Sequence, residues 1–179
     1  MRTPHGSPSP FGFEIGDNVN AQEQWWAGQA GDEYTKRNRV DWRARIPFWH
    51  DIMKFTGARS VYEVGCNAGW NLSAIWEAAD HSVSIAGCDL NEEAVAQAQI
   101  AGLNVVKGSL SHDGVGGAEL IFTAGVLIHV APDNLSKMMQ DIIEASSRYV
   151  IAIEYAADVE EMIEYRGEMN RLWKRPYGK

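Results

Sequence analysis

Val61-Tyr62-Glu63-Val64-Gly65-Cys66-Asn67-Ala68-Gly69-Trp70-Asn71-Leu72 reads as a buried strand, a glycine turn and the start of a helix. Val61 and Val64 favour a strand, and Gly65 and Gly69 bracket a sharp bend. Beyond the bend, Leu72, Ile75, Trp76 and Ala79 recur at i, i+3, i+4 and i+7, which is one face of a helix. A strand that enters a helix through glycines lets a ligand approach both the backbone and the positive helix N-terminus. The spacing is Gly-x-x-x-Gly rather than Gly-x-Gly-x-x-Gly, which argues against a nicotinamide or flavin site. Glu63 lies at the carboxyl end of an apolar strand, where an ionised side chain is costly without a partner. A cationic ligand group would be such a partner.

Outward from this stretch, strands and helices alternate. Ser84 to Asp89 reads as a second strand, ending in an acid 20 residues after Gly69. A Rossmann-like unit carries its ribose-binding acid at about that distance. Asn91 can cap a helix with Glu92 and Glu93 in its first turn and Gly102 as its stop, and Leu103 to Lys107 is a short third strand. Glu119 to Gly125 is the fourth strand. Pro132 suits the first turn of a helix whose buried face is Leu135, Met138, Met139, Ile142 and Ile143. Tyr149 to Tyr155 is the fifth strand, with Glu154 and Tyr155 at its carboxyl end. Asp158 with Glu161 looks like a capping box for a further helix. Such alternation predicts an α/β fold with a parallel sheet, and ligands bind at the carboxyl ends of its strands. His129, after the fourth strand, falls on that rim, where it can orient a substrate or take a proton near neutral pH.

Upstream, Trp42, Ile46, Trp49, Ile52 and Met53 recur at helical spacing between Asp41 and Phe55, with Gly57 as a stop; His50 lies off this stripe and is expected in solvent. Gln24 to Asn38 holds two tryptophans, a glycine-punctuated turn and a dense polar run, which do not suit a simple core helix. It is either a surface loop over packed tryptophans or a lid over a ligand. Residues 1–20, with Pro4, Pro8 and Pro10 among glycines and serines, read as a flexible leader.

The 179 residues suit one domain, residues 21–179, with 21–40 as its lid-like segment. A hydrophobic fraction of 45% and a charged fraction of 22% are those of a soluble globular protein. The formal net charge of -8 gives no general attraction to phosphate backbones, so nucleic acid is not favoured as a partner. A base methylase would also need Asn/Asp-Pro-Pro-Tyr/Phe after the fourth strand, where this chain has Thr123-Ala124-Gly125-Val126. Cys66 and Cys88 make no metal or disulfide framework and read as small buried hydrophobes in a reducing compartment. No run is apolar enough to span a bilayer and no signal peptide opens the chain, so a cytoplasmic location without membrane contact is expected. No ligand cluster calls for a metal.

Glu63, Gly65, Gly69 and Asp89 together resemble motifs I and II of the class I S-adenosylmethionine-dependent methyltransferases. Gly31-Asp32-Glu33-Tyr34-Thr35-Lys36-Arg37-Asn38 looks like a signature of the pseudaminic acid biosynthesis-associated methylases. Gly125-Val126-Leu127-Ile128-His129, Glu164-Tyr165-Arg166-Gly167 and Arg171 to Arg175 are similar to further stretches of that family. The resemblance runs from about Trp25 to Arg175. It implies a Rossmann-like class I methyltransferase sheet with helices on both faces, S-adenosylmethionine as cofactor and S-adenosylhomocysteine as product. Glu63, Gly65, Cys66, Asn67 and Gly69 would hold the methionyl end, and Asp89 with Leu90 the ribose. Gly125 and Val126, after the fourth strand, would also bind the cofactor. Ser109 and Leu110 would meet the adenine, and Ser109 stands where many such enzymes carry an acid.

The resemblance further implies that the lid residues Tyr34, Arg37 and Asn38 reach the cofactor's amino-acid end or the substrate. Trp26, Tyr155, Tyr165 and Arg166 become substrate-binding candidates, and His129, Tyr34 and Glu154 catalytic ones. The acceptor would be a small molecule: a nine-carbon sugar, its nucleotide-activated form or a related biosynthetic intermediate. Lys179 leaves no room for the family's usual strands 6 and 7. Either the chain is truncated, or a second copy or partner chain covers an exposed sheet edge. The contrasting reading is a non-catalytic cofactor-binding or interaction module completed by a partner chain.

Overall fold

A computed structural model describes residues 14–16, 20–111 and 117–178. Most of the expected leader, residues 1–20, lies outside them. Within it, β1 (Glu14–Gly16) is a short strand followed by α1 (Ala21–Ala27) and α2 (Gln29–Arg37). The two tryptophans and the polar run after them are therefore helical, not a loop. Asn20 starts α1 with a capping box, its side chain accepting from the Gln22 and Glu23 amides while Glu23 reaches back to the Asn20 N–H. Gly28 breaks the helical run, which explains why helical periodicity is hard to see across it.

A 3-10 turn over Trp42–Arg45 leads into α3 (Ile46–Thr56), which Gly57 ends in the left-handed region at φ 58°. Then follow β2 (Ser60–Val64), α4 (Trp70–Ala78), β3 (Ser84–Asp89), α5 (Glu92–Ile100), β4 (Val105–Lys107), β5 (Ser109–Ser111) and β6 (Ala118–Ala124). A second 3-10 turn, Leu127–His129, precedes α6 (Pro132–Ala145) and β7 (Ser146–Ile153), and the chain closes with β8 (Glu161–Tyr165) and β9 (Glu168–Lys174).

The central sheet is parallel throughout, in the order β4-β3-β2-β6-β7. Alternate residues of one strand serve opposite faces. Val61, Leu120 and Phe122 pack with Trp49, Met53, Leu72, Ile75 and Val95, which belong to α3, α4 and α5. Tyr62, Val64 and Ile121 pack with Ile142 and Ala145 of α6. Helices thus cover both faces, the doubly wound α/β arrangement read from the sequence. Strand order reverses between β2 and β6, so their carboxyl ends open a crevice there.

Two expected core faces are rotated slightly. Trp76 and Ile143 are exposed, while Asn71 and Ala74 of α4 and Asp141 and Ala145 of α6 turn inward. Among the described residues, no helix follows Asp158. Glu161 opens β8, which pairs antiparallel with β9 in a hairpin separate from the main sheet. The acids that resembled a capping box flank a turn into this hairpin. β1 pairs with β5 at a corner of the same rim. His50 is solvent-facing, as expected. Among the described residues, no helix is long and apolar enough to cross a membrane.

Candidate active site

A cavity of about 1250 Å³ lies over the carboxyl rim of the sheet, roofed by α1, α2 and the β8–β9 hairpin. Small-molecule pockets usually run to roughly 300–1,000 Å³, so this cavity is larger than one small ligand needs. All the candidate site residues read from the sequence line it except Gly69, which sits behind the glycine loop as the residue before α4.

Glu63 points up from the end of β2 and is 2% exposed. Its Oε1 accepts from Asn71 Nδ2 at 2.6 Å, while Oε2 is buried without a partner. Burial pushes this carboxyl up to about 8, against the opposing pull of Asn71 and Arg45. Gly65 turns the chain at φ 71°, and a Cβ there would meet Val126 Cγ2 at 2.5 Å. Only glycine lets the loops after β2 and β6 approach this closely. The Gly65 and Cys66 amides both donate to Cys88 O at 2.9 Å. Cys66 and Cys88 are buried and free; burial lifts both thiols, Cys88 to about 12, so neither is a ready nucleophile.

At the end of β3, Asp89 Oδ2 accepts from Asn67 N at 2.7 Å and Oδ1 from Asn91 N at 2.9 Å. Burial raises its pKa, and these amides and that of Leu90 oppose the rise. Asp89 lines the cavity, and a carboxylate has acceptor capacity beyond these bonds. Leu90, Ser109 and Leu110 continue the wall toward β5.

Glu154, just past β7, is held tightly. Its Oε1 accepts from Thr123 Oγ1 at 2.8 Å and from the Val126 and Leu127 amides at 3.1 Å, and Oε2 accepts from the Ile128 amide at 3.3 Å. This carboxylate shapes the turn that carries His129. Its hydrogen bonds are those of a positioning group.

His129 Nδ1 lies 2.6 Å from Arg171 O. A carbonyl only accepts, so Nδ1 carries the proton and Nε2 is left with the lone pair. Burial holds the ring down to about 4, so it is neutral at pH 7. Its ring packs against Trp26 at 4.4 Å and Tyr165 at 5.1 Å between centroids. Tyr34 stands 5.5 Å from Trp26, with the Arg37 guanidinium over it at 5.3 Å. Burial raises the Tyr34 phenol above its ordinary range. Arg37 Nη2 donates to Tyr165 Oη at 3.0 Å, and Asn38 Nδ2 donates to Tyr34 O at 3.0 Å, capping α2. Tyr155 and Arg166 are exposed at the mouth.

Several contributing residues were not among the candidate site residues. Buried Gln22 donates to His129 O at 2.8 Å and accepts from Arg171 Nη1 at 2.7 Å. Arg175, 3% exposed, donates to Leu127 O and Val130 O at 2.9 and 2.8 Å. Thr35 accepts from Asn67 Nδ2 at 2.8 Å, and Asp32 from Asn91 Nδ2 at 2.7 Å, which fasten α2 to the rim. Asn71 carried one legible sign, a polar side chain on the inner side of an apolar helix.

No protein-family model matches the chain, and no curated protein does. Solved structures do match in fold. Magnesium protoporphyrin IX methyltransferase (ChlM) from Synechocystis PCC 6803, crystallised with S-adenosylmethionine, aligns over 88% of this chain and 98% of its own, at 13% identity and a TM-score of 0.57. The mitomycin 7-O-methyltransferase MmcR aligns over 89% of this chain but 52% of its own, at 12% identity and TM-score 0.62. The plantazolicin methyltransferase BpumL, in complex with S-adenosylhomocysteine, aligns over 76% and 58%, at 14% identity and TM-score 0.58. This chain therefore spans about half the length of the latter two. The fold is the Rossmann-like one of these S-adenosylmethionine-dependent methyltransferases, built here on five parallel strands.

Proposed function

We propose that this protein transfers a methyl group from S-adenosylmethionine to a small-molecule acceptor. The observation that carries the reading is the pairing of Glu63 and Asp89 on neighbouring strand ends, either side of the Gly65–Gly69 turn, in one cavity. Glu63 Oε2, buried and unpartnered, suits an ammonium, and the spare lone pairs of Asp89 suit ribose hydroxyls. The cofactor, when bound, supplies an electrophilic methyl group already activated on sulfur. The chain's own residues then have to orient a nucleophile and exclude water.

Neutral His129, its proton fixed on Nδ1, offers Nε2 to take a proton from an acceptor hydroxyl or amine. Trp26, Tyr34 and Tyr165 close an aromatic wall around it. The acceptor is proposed to be a sugar or nucleotide-sugar intermediate, on the family resemblance. Arg37, Arg166 and Tyr155 support it as groups suited to a polar, anionic molecule. The outer edge of β7 has no neighbouring strand among the described residues, and Val150 and Ile153 are exposed on that strand. This supports a second copy or a partner chain along the edge.

A thermal-shift titration with S-adenosylmethionine and S-adenosylhomocysteine tests the reading. Ligand at about 100 times Kd adds about 2.7 kcal/mol, a rise of roughly 5–10 °C for a domain of this size. Asp89→Ala is expected to lose that rise. A folded protein that shifts with neither ligand is no methyltransferase of this kind. S-adenosylhomocysteine formed with a panel of sugar nucleotides then identifies the acceptor. Cofactor binding without product from any acceptor class favours the non-catalytic module.

A further inference from the structure

A two-residue turn joins β8 to β9, with Arg166 at φ 54° and Gly167 at φ 80° between the paired residues Tyr165 and Glu168. Tight hairpins favour left-handed residues at both central positions, so these two angles serve chain reversal. Asn170 does not belong to that turn. It lies inside β9, yet its φ is 61°. Residues other than glycine enter this region rarely, asparagine more readily than most. Its side chain is exposed and has no hydrogen-bond partner among the described residues. The backbone angle, not a side-chain contact, is what asparagine serves here.

The consequence is a bulge. Pairing passes from Tyr165 opposite Glu168 to Ile163 opposite Leu172, so Glu164 of β8 faces Met169, Asn170 and Arg171 of β9. The extra residues of a bulge leave the ladder and turn their groups elsewhere, often beside an active site. Here the Arg171 carbonyl meets His129 Nδ1 at 2.6 Å. Gln22 ties the same two residues together: its Nε2 donates to His129 O at 2.8 Å, and its Oε1 accepts from Arg171 Nη1 at 2.7 Å. These bonds close a ring through α1, the 3-10 turn and β9. Arg175 anchors the same strand on either side of His129, donating to Leu127 O and Val130 O. His129 lines the cavity, and among the described residues no group bonds its Nε2.

We propose that the left-handed bulge at Asn170 is a positioning device: it delivers the Arg171 carbonyl to His129, keeps the ring proton on Nδ1 and leaves Nε2 to the cavity, with Gln22 as the lock. A base acts through one nitrogen, so a partner that holds the proton on the other keeps the ring ready to accept. A carbonyl does so without bringing a charge into a buried aromatic pocket, which a carboxylate could not. The use of this brace in catalysis rests on the methyl-transfer reading above. The brace itself is read from the His129 ring alone.

Nitrogen NMR on the full chain with isotope-labelled histidine is the test, His129→Gln identifying the signal among the five histidines. Wild type at neutral pH should show the separated ring shifts of one fixed tautomer, with the proton on Nδ1. Asn170→Gly, which accepts the same angle, should keep them. Asn170→Val, whose branched side chain resists a positive φ, should lower the ratio of Nδ1–H to Nε2–H about tenfold, the worth of one hydrogen bond. S-adenosylhomocysteine binding should stay within about twofold in both variants, as for sites without shared partners.

A wild-type ring with averaged tautomers, or an unchanged tautomer in folded Asn170→Val protein, overturns the proposal. If affinity falls together with the tautomer ratio, Asn170 supports the roof as a whole and its assignment to His129 fails. Should Asn170→Val not fold, Gln22→Leu replaces it: removing the lock must shift the ratio the same way, and an unchanged ratio overturns the brace equally. A wild type that keeps the fixed tautomer but does not bind S-adenosylhomocysteine leaves the brace standing and overturns the methyl-transfer reading.

Discussion

The floor of the cavity and its roof are built on different principles. The floor is made of strand ends. Glu63, Asp89 and the Gly65–Gly69 turn are placed by parallel ladders whose side chains are among the most buried in the protein, and they lie within 27 consecutive residues. The roof is two short helices and a hairpin. Gln22 meets His129 and Arg171 across 107 and 149 residues of chain, and Arg37 meets Tyr165 across 128. The buried Glu63 carboxyl on the floor sits in a rigid frame that favours its protonated form. The roof is joined to the rim by side-chain hydrogen bonds and aromatic edges.

The largest effect expected from this contrast is the pH response of Glu63. Its folded-state pKa, about 8, lies above its unfolded value near 4.5, so the folded state holds the proton more tightly. Stability is therefore fully present below the unfolded pKa and declines as pH rises from about 4.5 to about 8. This one group removes about 4 kcal/mol over that window. Glu63→Gln should flatten the decline in urea unfolding measured across the window, and should also weaken S-adenosylhomocysteine. An unchanged slope would mean that Glu63 ionises without cost in the folded protein.

Glu154→Ala comes next. It strips acceptors from Thr123 and three backbone amides, and an expected cost of about 3 kcal/mol should show as a lower urea midpoint at constant slope. Glu154→Gln keeps an oxygen for part of the turn and should cost less. A larger loss for glutamine than for alanine would assign the carboxylate a role beyond shaping this loop.

His129 tests the seam between floor and roof. Its folded pKa, about 4, lies below the ordinary 6.5, so its contribution is present above about 6.5 and is lost as pH falls toward 4. By pH 5 the loss is about 2 kcal/mol. His129→Gln should remove that acid-side slope. For the same reason, a turnover profile limited by this base should stay flat from about pH 5 to neutrality. An inflection near 6.5 would place the ring in water.

The smallest expected effect is Gln22→Ala, about 1 kcal/mol for an exchanged hydrogen-bond set. Its signature is in hydrogen exchange. Amides of α1, α2 and the hairpin should exchange through local openings well below the global free energy, while those of β2 and β6 track it. Gln22→Ala should widen that gap. Uniform exchange across both regions would show one cooperative unit.

The floor was legible because its signals are local. Valines, a Gly-x-x-x-Gly turn, an apolar-faced helix and an acid at the next strand end all sit within one strand-turn-helix-strand unit. Where periodicity was read a step too literally, Trp76 and Ile143 turned outward, because a helix face is set by its neighbours and not by hydropathy alone. The roof was legible only as a lid-like segment with candidate residues in it; its helices, its hairpin and its long-range partners were not. Gly28 breaks the helical pattern of α1 and α2, and Asp158 with Glu161 has the spacing of a cap in a segment that becomes a hairpin. Arg45 and Asn71 gave no sign of each other, since only the packing of the 3-10 turn before α3 against α4 brings them together.

From its sequence alone the chain determined an α/β sheet with a ligand-ready glycine turn, because hydrophobic period and backbone permissiveness act over a few residues. Tertiary structure alone decided which polar groups share the cavity, which nitrogen of His129 holds its proton, and that Glu154 accepts from the loop that carries His129. Those outcomes depend on distances between segments far apart in the chain, which arise only when burial forces each polar atom to find a partner.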